Sequence, residues 1–164
     1  KAIDILLEVE KFNDPVYEVA CGEGHLSKRL KKYGYNVIST DLINRGYGQG
    51  GVDFLKQTEQ INGDIITNPP YRYACEFIYK ALELIPKGNK IAMFLKIQFL
   101  ESKKRRKLFD KYPPKIIYVS SSRLLCAKNG DFKKAKEIGG SAVAYAWFIW
   151  VKGYQGDTII KWIN

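Results

Sequence analysis

The sequence predicts an α/β domain built on a doubly wound, mostly parallel sheet. Three observations carry this expectation. Short apolar runs suited to strands alternate with segments of helical period. Residues 91–95 and 142–151 are almost continuously apolar, as expected of strands covered on both faces. Turns rich in glycine or proline follow directly on strands, at Gly22 and Gly24 and again at Pro69 and Pro70.

The elements follow in order. Ile3, Ile5, Leu6, Leu7 and Val9 suggest a first helix, which Pro15 stops before a strand over 16–20. Gly22 and Gly24 turn the chain into a helix whose apolar residues Leu26, Leu30 and Tyr33 stand at i, i+4 and i+7. Gly34 ends it, and 36–40 reads as a second strand closing at Asp41. Residues 44–51 hold four glycines and form a loop. A strand over 63–67 runs into Asn68–Pro69–Pro70–Tyr71. Ala74, Phe77, Ile78, Ala81, Leu82 and Ile85 make the stripe of a helix that Pro86 and Gly88 terminate. A strand over 91–95, a basic helix over 103–112 stopped by Pro113, and a strand over 116–119 come next. Residues 142–151 form a buried strand, and 158–163 its expected antiparallel partner in a C-terminal hairpin. Trp147, Trp150 and Trp162 are all expected in the core, because they sit in strand-like apolar runs.

A chain of 164 residues fits one domain, 1–164, and leaves no room within it for a second of ordinary size. Hydrophobic residues at 46% support a packed core rather than disorder. No apolar run reaches the roughly 18–20 residues of a membrane helix, and the N-terminus lacks the layout of a secretory signal. No membrane partner is expected, and the cytoplasm is the expected location. Cys21, Cys75 and Cys126 are scattered and His25 is the only histidine, so no metal site is expected and a Cys–His nucleophile has no support in the spacing. Lys and Arg number 27 against 17 Asp and Glu, a net charge of +10 concentrated at 103–107 and at Lys133 and Lys134. This excess favours a polyanionic partner.

Two turns carry the chemistry. In Glu18–Val19–Ala20–Cys21–Gly22–Glu23–Gly24 the glycines let a ligand approach the backbone where the first strand meets its helix. The third glycine of a dinucleotide fingerprint is missing. Flanking carboxylates would repel a pyrophosphate but suit a sulfonium and an ammonium group. Asp41 then ends the second strand, placed either to accept two ribose hydroxyls or to cap a turn. The second turn is Asn68–Pro69–Pro70–Tyr71. Its prolines fix the backbone and remove two donors, leaving carbonyl oxygens to accept, and an aromatic ring closes it. Such a turn suits a planar amine: acceptors for two N–H bonds and a ring for its face.

The first turn resembles motif I of class I S-adenosylmethionine-dependent methyltransferases, and the second is similar to motif IV of amino-methyltransferases. The order, without insertion, resembles the gamma arrangement of adenine-N6 DNA methyltransferases. The stretches Phe99–Leu100–Glu101–Ser102, Cys126–Ala127–Lys128–Asn129–Gly130–Asp131–Phe132 and Tyr145–Ala146–Trp147–Phe148 look like small enzymes of phages and prophages. The resemblance implies a Rossmann-like methyltransferase sheet and S-adenosylmethionine as cofactor. Gly22 and Gly24 would border its methionine part, with Glu18, Ala20 and Cys21 beside it. Asp41 would hold the ribose, Asp53 the adenine amine, and Phe54 would flank the adenine ring. Asn68, Pro69, Pro70 and Tyr71 would form the catalytic turn, acting on the N6 amine of adenine in DNA. The alternatives are an RNA adenine-N6 enzyme, a protein glutamine methyltransferase and a catalytically silent domain that binds cofactor or nucleic acid. Arg123, Lys128, Asn129, Lys133 and Lys134 are expected to contact phosphates. Without a recognition domain, a specificity partner or a homodimer is expected to supply sequence selection.

Overall fold

The computed structural model describes residues 1–122, 124 and 143–164. In chain order it contains helix α1 (Ala2–Leu7), strand β1 (Val16–Glu18), helix α2 (His25–Lys32), strand β2 (Val37–Ser39) and strand β3 (Asp64–Thr67). Helix α3 (Ala74–Leu84), strand β4 (Lys90–Lys96), helix α4 (Lys103–Lys111) and strands β5 (Ile116–Ser120), β6 (Tyr145–Val151) and β7 (Ile159–Ile163) follow. Three single 3-10 turns, Phe54–Lys56, Tyr71–Tyr73 and Ile97–Leu100, are added at places where the sequence pattern shows only loop.

The strands form one sheet in the order β2-β1-β3-β4-β6-β5-β7. β2, β1, β3 and β4 are parallel neighbours, and β6 is antiparallel to β4 and β5. Alternate residues go to opposite faces. Ile65, Met93, Phe148 and Trp150 pack with α3 and Leu108 of α4 on one face. Ile66, Phe94, Trp147 and Ile149 pack with α1 and Leu30 of α2 on the other. Both faces are therefore covered, which is why the central strands lack polar alternation.

The two tryptophans of β6 join the layers through their only polar atom. Trp147 Nε1 donates to the Ala2 carbonyl at 2.9 Å, and Trp150 Nε1 to the Tyr112 carbonyl at 2.9 Å. Asp64 does the same for the start of β3. Its fully buried carboxylate accepts from the backbone N–H groups of Asn13 (2.7 Å) and Lys90 (2.8 Å).

Two expectations need correction. β7 does not form a hairpin with β6: it pairs in parallel with β5, Ile116 opposite Ile159 and Val119 opposite Trp162. β6 is already bonded on both sides by β4 and β5, so the free edge of β5 is the one open to the last strand. The connection reaches it across the end of β5, where Ile159 N–H donates to the Lys115 carbonyl at 3.1 Å and Thr158 Oγ1 to the Pro114 carbonyl at 2.7 Å. The second correction follows from the first. On that edge strand Trp162 is 72% exposed, whereas Trp147 and Trp150 are buried.

Candidate functional site

The chain leaves β1 for β2 on one side and returns to β3 on the other, so β1 and β3 are neighbours whose following turns diverge. In an open α/β sheet such a switch point leaves a crevice beyond the carboxyl ends of the strands. Here the crevice is a cleft of about 820 Å³. Glu18, Ala20, Cys21, Gly22, Asp41, Asp53 and Phe54 line one part, and Asn68, Pro69, Pro70 and Tyr71 another. The two turns lie 46 residues apart in the chain, from Gly22 to Asn68, and share one cavity.

The first turn is closed by its own backbone. Gly24 N–H donates to the Cys21 carbonyl at 2.8 Å, and Gly22 N–H to Asp41 Oδ2 at 2.8 Å. Asp41 Oδ1 accepts from Ile43 N–H at 2.8 Å. Both oxygens of Asp41 are thus oriented by N–H groups, and each keeps a lone pair for a ligand. Gly22 has φ +54° and open space where a Cβ would stand. Gly24 is placed differently. It does not line the cleft; it starts α2 with φ +78°, and a Cβ there would fall inside the ring of Tyr47.

Tyr47 comes from the glycine-rich loop, which is not an open flap. Gln49 N–H donates to the Ser39 carbonyl and Asp41 N–H to the Gln49 carbonyl, both at 2.9 Å, so the loop lies along the end of β2. A Cβ on Gly48 would meet the Ser39 carbonyl oxygen at 2.6 Å and Cys21 Sγ at 3.0 Å. The loop braces the first turn from behind. The sequence shows four glycines there; it does not show that a tyrosine between them needs another glycine as its seat.

The floor of the cleft is acidic. Glu18 is 2% exposed and accepts from Ser27 Oγ, which lies 2.7 Å from Ser39 Oγ. Burial pushes its carboxyl up to about 8, against the pull of Ser27, and the Asp41 charge adds to the rise. Burial likewise raises the Cys21 thiol to about 11, with Glu18 and Asp41 adding to it. Its Sγ lies 3.6 Å from the Tyr47 carbonyl oxygen and 3.8 Å from that of the neighbouring Gly22, as a donor to both. Asp53 accepts from Leu55 N–H at 3.1 Å, capping the turn that carries Phe54 into the core against Phe77 at 5.2 Å between ring centres. Val52, Leu42, Ile43, Tyr73 and Phe77 also border the cleft, and no motif marks them. His25 starts α2 at the rim, with Nε2 3.3 Å from Glu23 Oε2.

The second turn leaves β3 with Asn68 exposed and Pro69 buried. The Pro70 carbonyl accepts Tyr73 N–H at 2.9 Å, which folds Tyr71–Tyr73 into a 3-10 turn. Among the described residues no backbone N–H is bonded to the Pro69 carbonyl, so the proline pair separates one structural acceptor from one open acceptor. Tyr71 is 38% exposed, 6.0 Å from the ring of Tyr145 and with Lys96 Nζ 5.2 Å from its centre. Tyr145 stacks in turn on Phe94 at 5.3 Å. Arg123, Lys128, Asn129, Lys133 and Lys134 lie outside the described residues.

No protein-family model matches the chain, and no curated protein does. Solved structures do. A candidate hemolysin from Lactococcus lactis superposes with a TM-score of 0.67 at 10% identity, over 98% of this chain and 90% of that one. A candidate class I S-adenosylmethionine-dependent methyltransferase from Listeria monocytogenes gives 0.59 at 14% identity, over 98% of this chain and 62% of the other. The 1,6-didemethyltoxoflavin-N1-methyltransferase of Burkholderia thailandensis, solved with bound 1,6-didemethyltoxoflavin and S-adenosylhomocysteine, gives 0.59 at 10% identity, over 92% and 76%. At these identities the likeness is one of architecture, and it agrees with the strand order and the switch-point cleft: the chain has the Rossmann-like fold of the class I methyltransferases.

Proposed function

We propose that the protein transfers a methyl group from S-adenosylmethionine to the exocyclic N6 amine of adenine in DNA. The observation that carries this reading is the placement of Asn68 and the Pro69 carbonyl in the same cleft as Gly22, Asp41 and Asp53.

The residues present fit the cofactor. Gly22 offers a surface without a Cβ, Asp41 offers oriented lone pairs to a ribose, and Asp53 and Phe54, expected to meet the adenine, line the same cleft. The buried Glu18 and the Asp41 carboxylate give the floor an acidic character that suits a ligand with a sulfonium and an ammonium group. When bound, S-adenosylmethionine supplies an electrophilic methyl group. The chain's own contribution is to hold the acceptor. An adenine amine is a poor nucleophile because its lone pair is delocalised into the ring. Asn68 Oδ1 and the Pro69 carbonyl, each accepting one N–H, favour a more tetrahedral nitrogen with its lone pair directed into the cleft. Tyr71 meets the face of the ring. This is catalysis by position and fixed dipoles: the methylated nitrogen becomes cationic and sheds its extra proton to water, so no general base is needed beside the amine.

A base in a duplex reaches this turn only if it is extruded, at a cost of a few kcal/mol that contacts elsewhere must offset. The net charge of +10 supports a polyanion as the source of those contacts. The test is transfer of labelled methyl from S-adenosylmethionine to unmethylated duplex DNA, with total RNA alongside and Asn68→Ala as control. DNA labelling that disappears in Asn68→Ala is expected. Labelling of RNA alone would transfer the reading to an RNA adenine, and labelling of neither, with cofactor bound, would overturn it.

A further inference from the structure

The basic run 103–107 is the sequence feature that the cleft itself leaves unused, and the structure divides it. Arg105 turns inward: Nε donates to the Phe99 carbonyl at 2.6 Å, Nη2 donates to the carbonyls of Gln98 (3.1 Å) and Glu101, and the guanidinium lies 4.8 Å from the Phe99 ring centre. It fastens the 3-10 turn after β4 to the start of α4. Arg106 pairs with Asp110 at 2.7 Å. Lys103, Lys104 and Lys107 are exposed, and among the described residues none has a carboxylate partner.

Two other cations stand at the Asn68–Tyr71 turn itself. β3 and β4 are parallel neighbours with Thr67 opposite Met93, so Lys96 leaves the sheet at the same edge as Asn68 and Pro70. Its ammonium stands over Tyr71. Arg72, next in the turn, is exposed with its guanidinium 5.5 Å from the Tyr73 ring centre. Two cations from two elements thus stand over rings that line the cleft, Lys96 over Tyr71 and Arg72 over Tyr73, with the carboxylate of Glu76 on the first turn of α3.

We propose that Arg72 and Lys96 form a phosphate rail that grips the phosphodiester backbone on either side of the extruded nucleotide. The inference deepens the nucleic-acid reading above and rests on it. A phosphodiester is the ligand that the arrangement fits: separate point charges spread around an aromatic, rather than one pocket, match a chain of anions whose base is turned inward. Lys96 has a second part in it, because a cation over Tyr71 also holds the ring that meets the base.

The test is binding of a labelled DNA duplex by fluorescence anisotropy between about 50 and 200 mM salt. Arg72→Gln and Lys96→Gln should each reduce the slope of log K against log salt by about 0.9, and the double variant by about twice as much. Lys96→Arg should keep the wild-type slope. Lys161→Gln on the far-edge strand β7 should also leave it unchanged, and thermal melting checks that every variant is folded. A double variant with the wild-type slope would overturn the rail, as would a wild-type protein that does not bind the duplex. Methyl transfer measured on the same samples separates the two ideas. A lost slope without adenine methylation would keep the rail and sink the substrate; methylation with an unchanged slope would do the reverse.

Discussion

Gly22 and Gly24 look equivalent in the sequence and should behave differently when each is changed to alanine. Both have positive φ, +54° and +78°, so either substitution costs about 1–2 kcal/mol in backbone strain. At Gly22 the new methyl meets no protein atom and projects into the cleft. The strain is then the whole stability effect, a fall in Tm of about 4 °C at roughly 2–4 °C per kcal/mol. Affinity for S-adenosylhomocysteine should fall at least about tenfold, or 1.4 kcal/mol. At Gly24 the methyl would enter the ring of Tyr47, which Lys28 and Lys31 also cover, and overpacking adds about 1–3 kcal/mol. Its Tm should fall by about 10 °C. In the double variant Gly24→Ala/Tyr47→Ala the clash is gone, so the combined loss should be smaller than the sum of the single losses. Calorimetric melting and titration with S-adenosylhomocysteine measure all of this on purified protein. Gly22→Ala at wild-type affinity, or additive effects of Gly24→Ala and Tyr47→Ala, would refute the division of roles.

Three other predictions concern the core and the acidic floor. Glu18 has a folded-state pKa of about 8 against an ordinary 4.5, because of its burial, so between these values the folded protein keeps a proton that the unfolded chain has released. Stability should therefore fall as pH rises from about 4.5 to about 8, and Glu18→Gln should flatten denaturation midpoints across that window; parallel curves for the two proteins would contradict the assignment. Binding of a cationic ligand beside Glu18 favours its ionisation, so S-adenosylmethionine should release protons near pH 7, seen as a buffer-dependent heat that Glu18→Gln removes. Trp162→Ser, on the exposed edge, should change stability by no more than about 0.5 kcal/mol, whereas Trp147→Ala should cost about 3–5 kcal/mol in urea unfolding.

The sequence is most legible where one local rule decides the outcome. Gly34, with φ +90°, stops α2 where the sequence predicts, and α3 runs over the stripe from Ala74 to Leu84 because its apolar spacing has no strand-like alternative. By contrast, α1 ends at Leu7, well before the Pro15 expected to stop it. Both site turns follow strands, and strand ends in a parallel sheet share an edge, so their meeting in one cleft was foreseeable from topology alone. What resisted reading depends on partners distant in the chain. Whether the last strand pairs with β6 or β5 turns on which edge is still free, and that decides whether Trp162 is core or surface. Gly24 looks like a ligand glycine until Tyr47 is seen lying on it. The run 103–107 looks uniform, yet Arg105 is spent on carbonyl groups and Arg106 on Asp110. Period and composition describe which residues face inward; they do not say which neighbour each one meets.

The measurement that tests the central claim most directly is the identity of the methylated nucleoside. Duplex DNA incubated with S-adenosylmethionine and the wild-type protein, then digested and resolved by mass spectrometry, should contain N6-methyladenine. Asn68→Ala should form it about 10²–10³-fold more slowly, with its affinity for S-adenosylhomocysteine unchanged, because the turn acts on the acceptor and not on the cofactor. Methylation at any other atom, or an Asn68→Ala enzyme as fast as the wild type, would contradict the account.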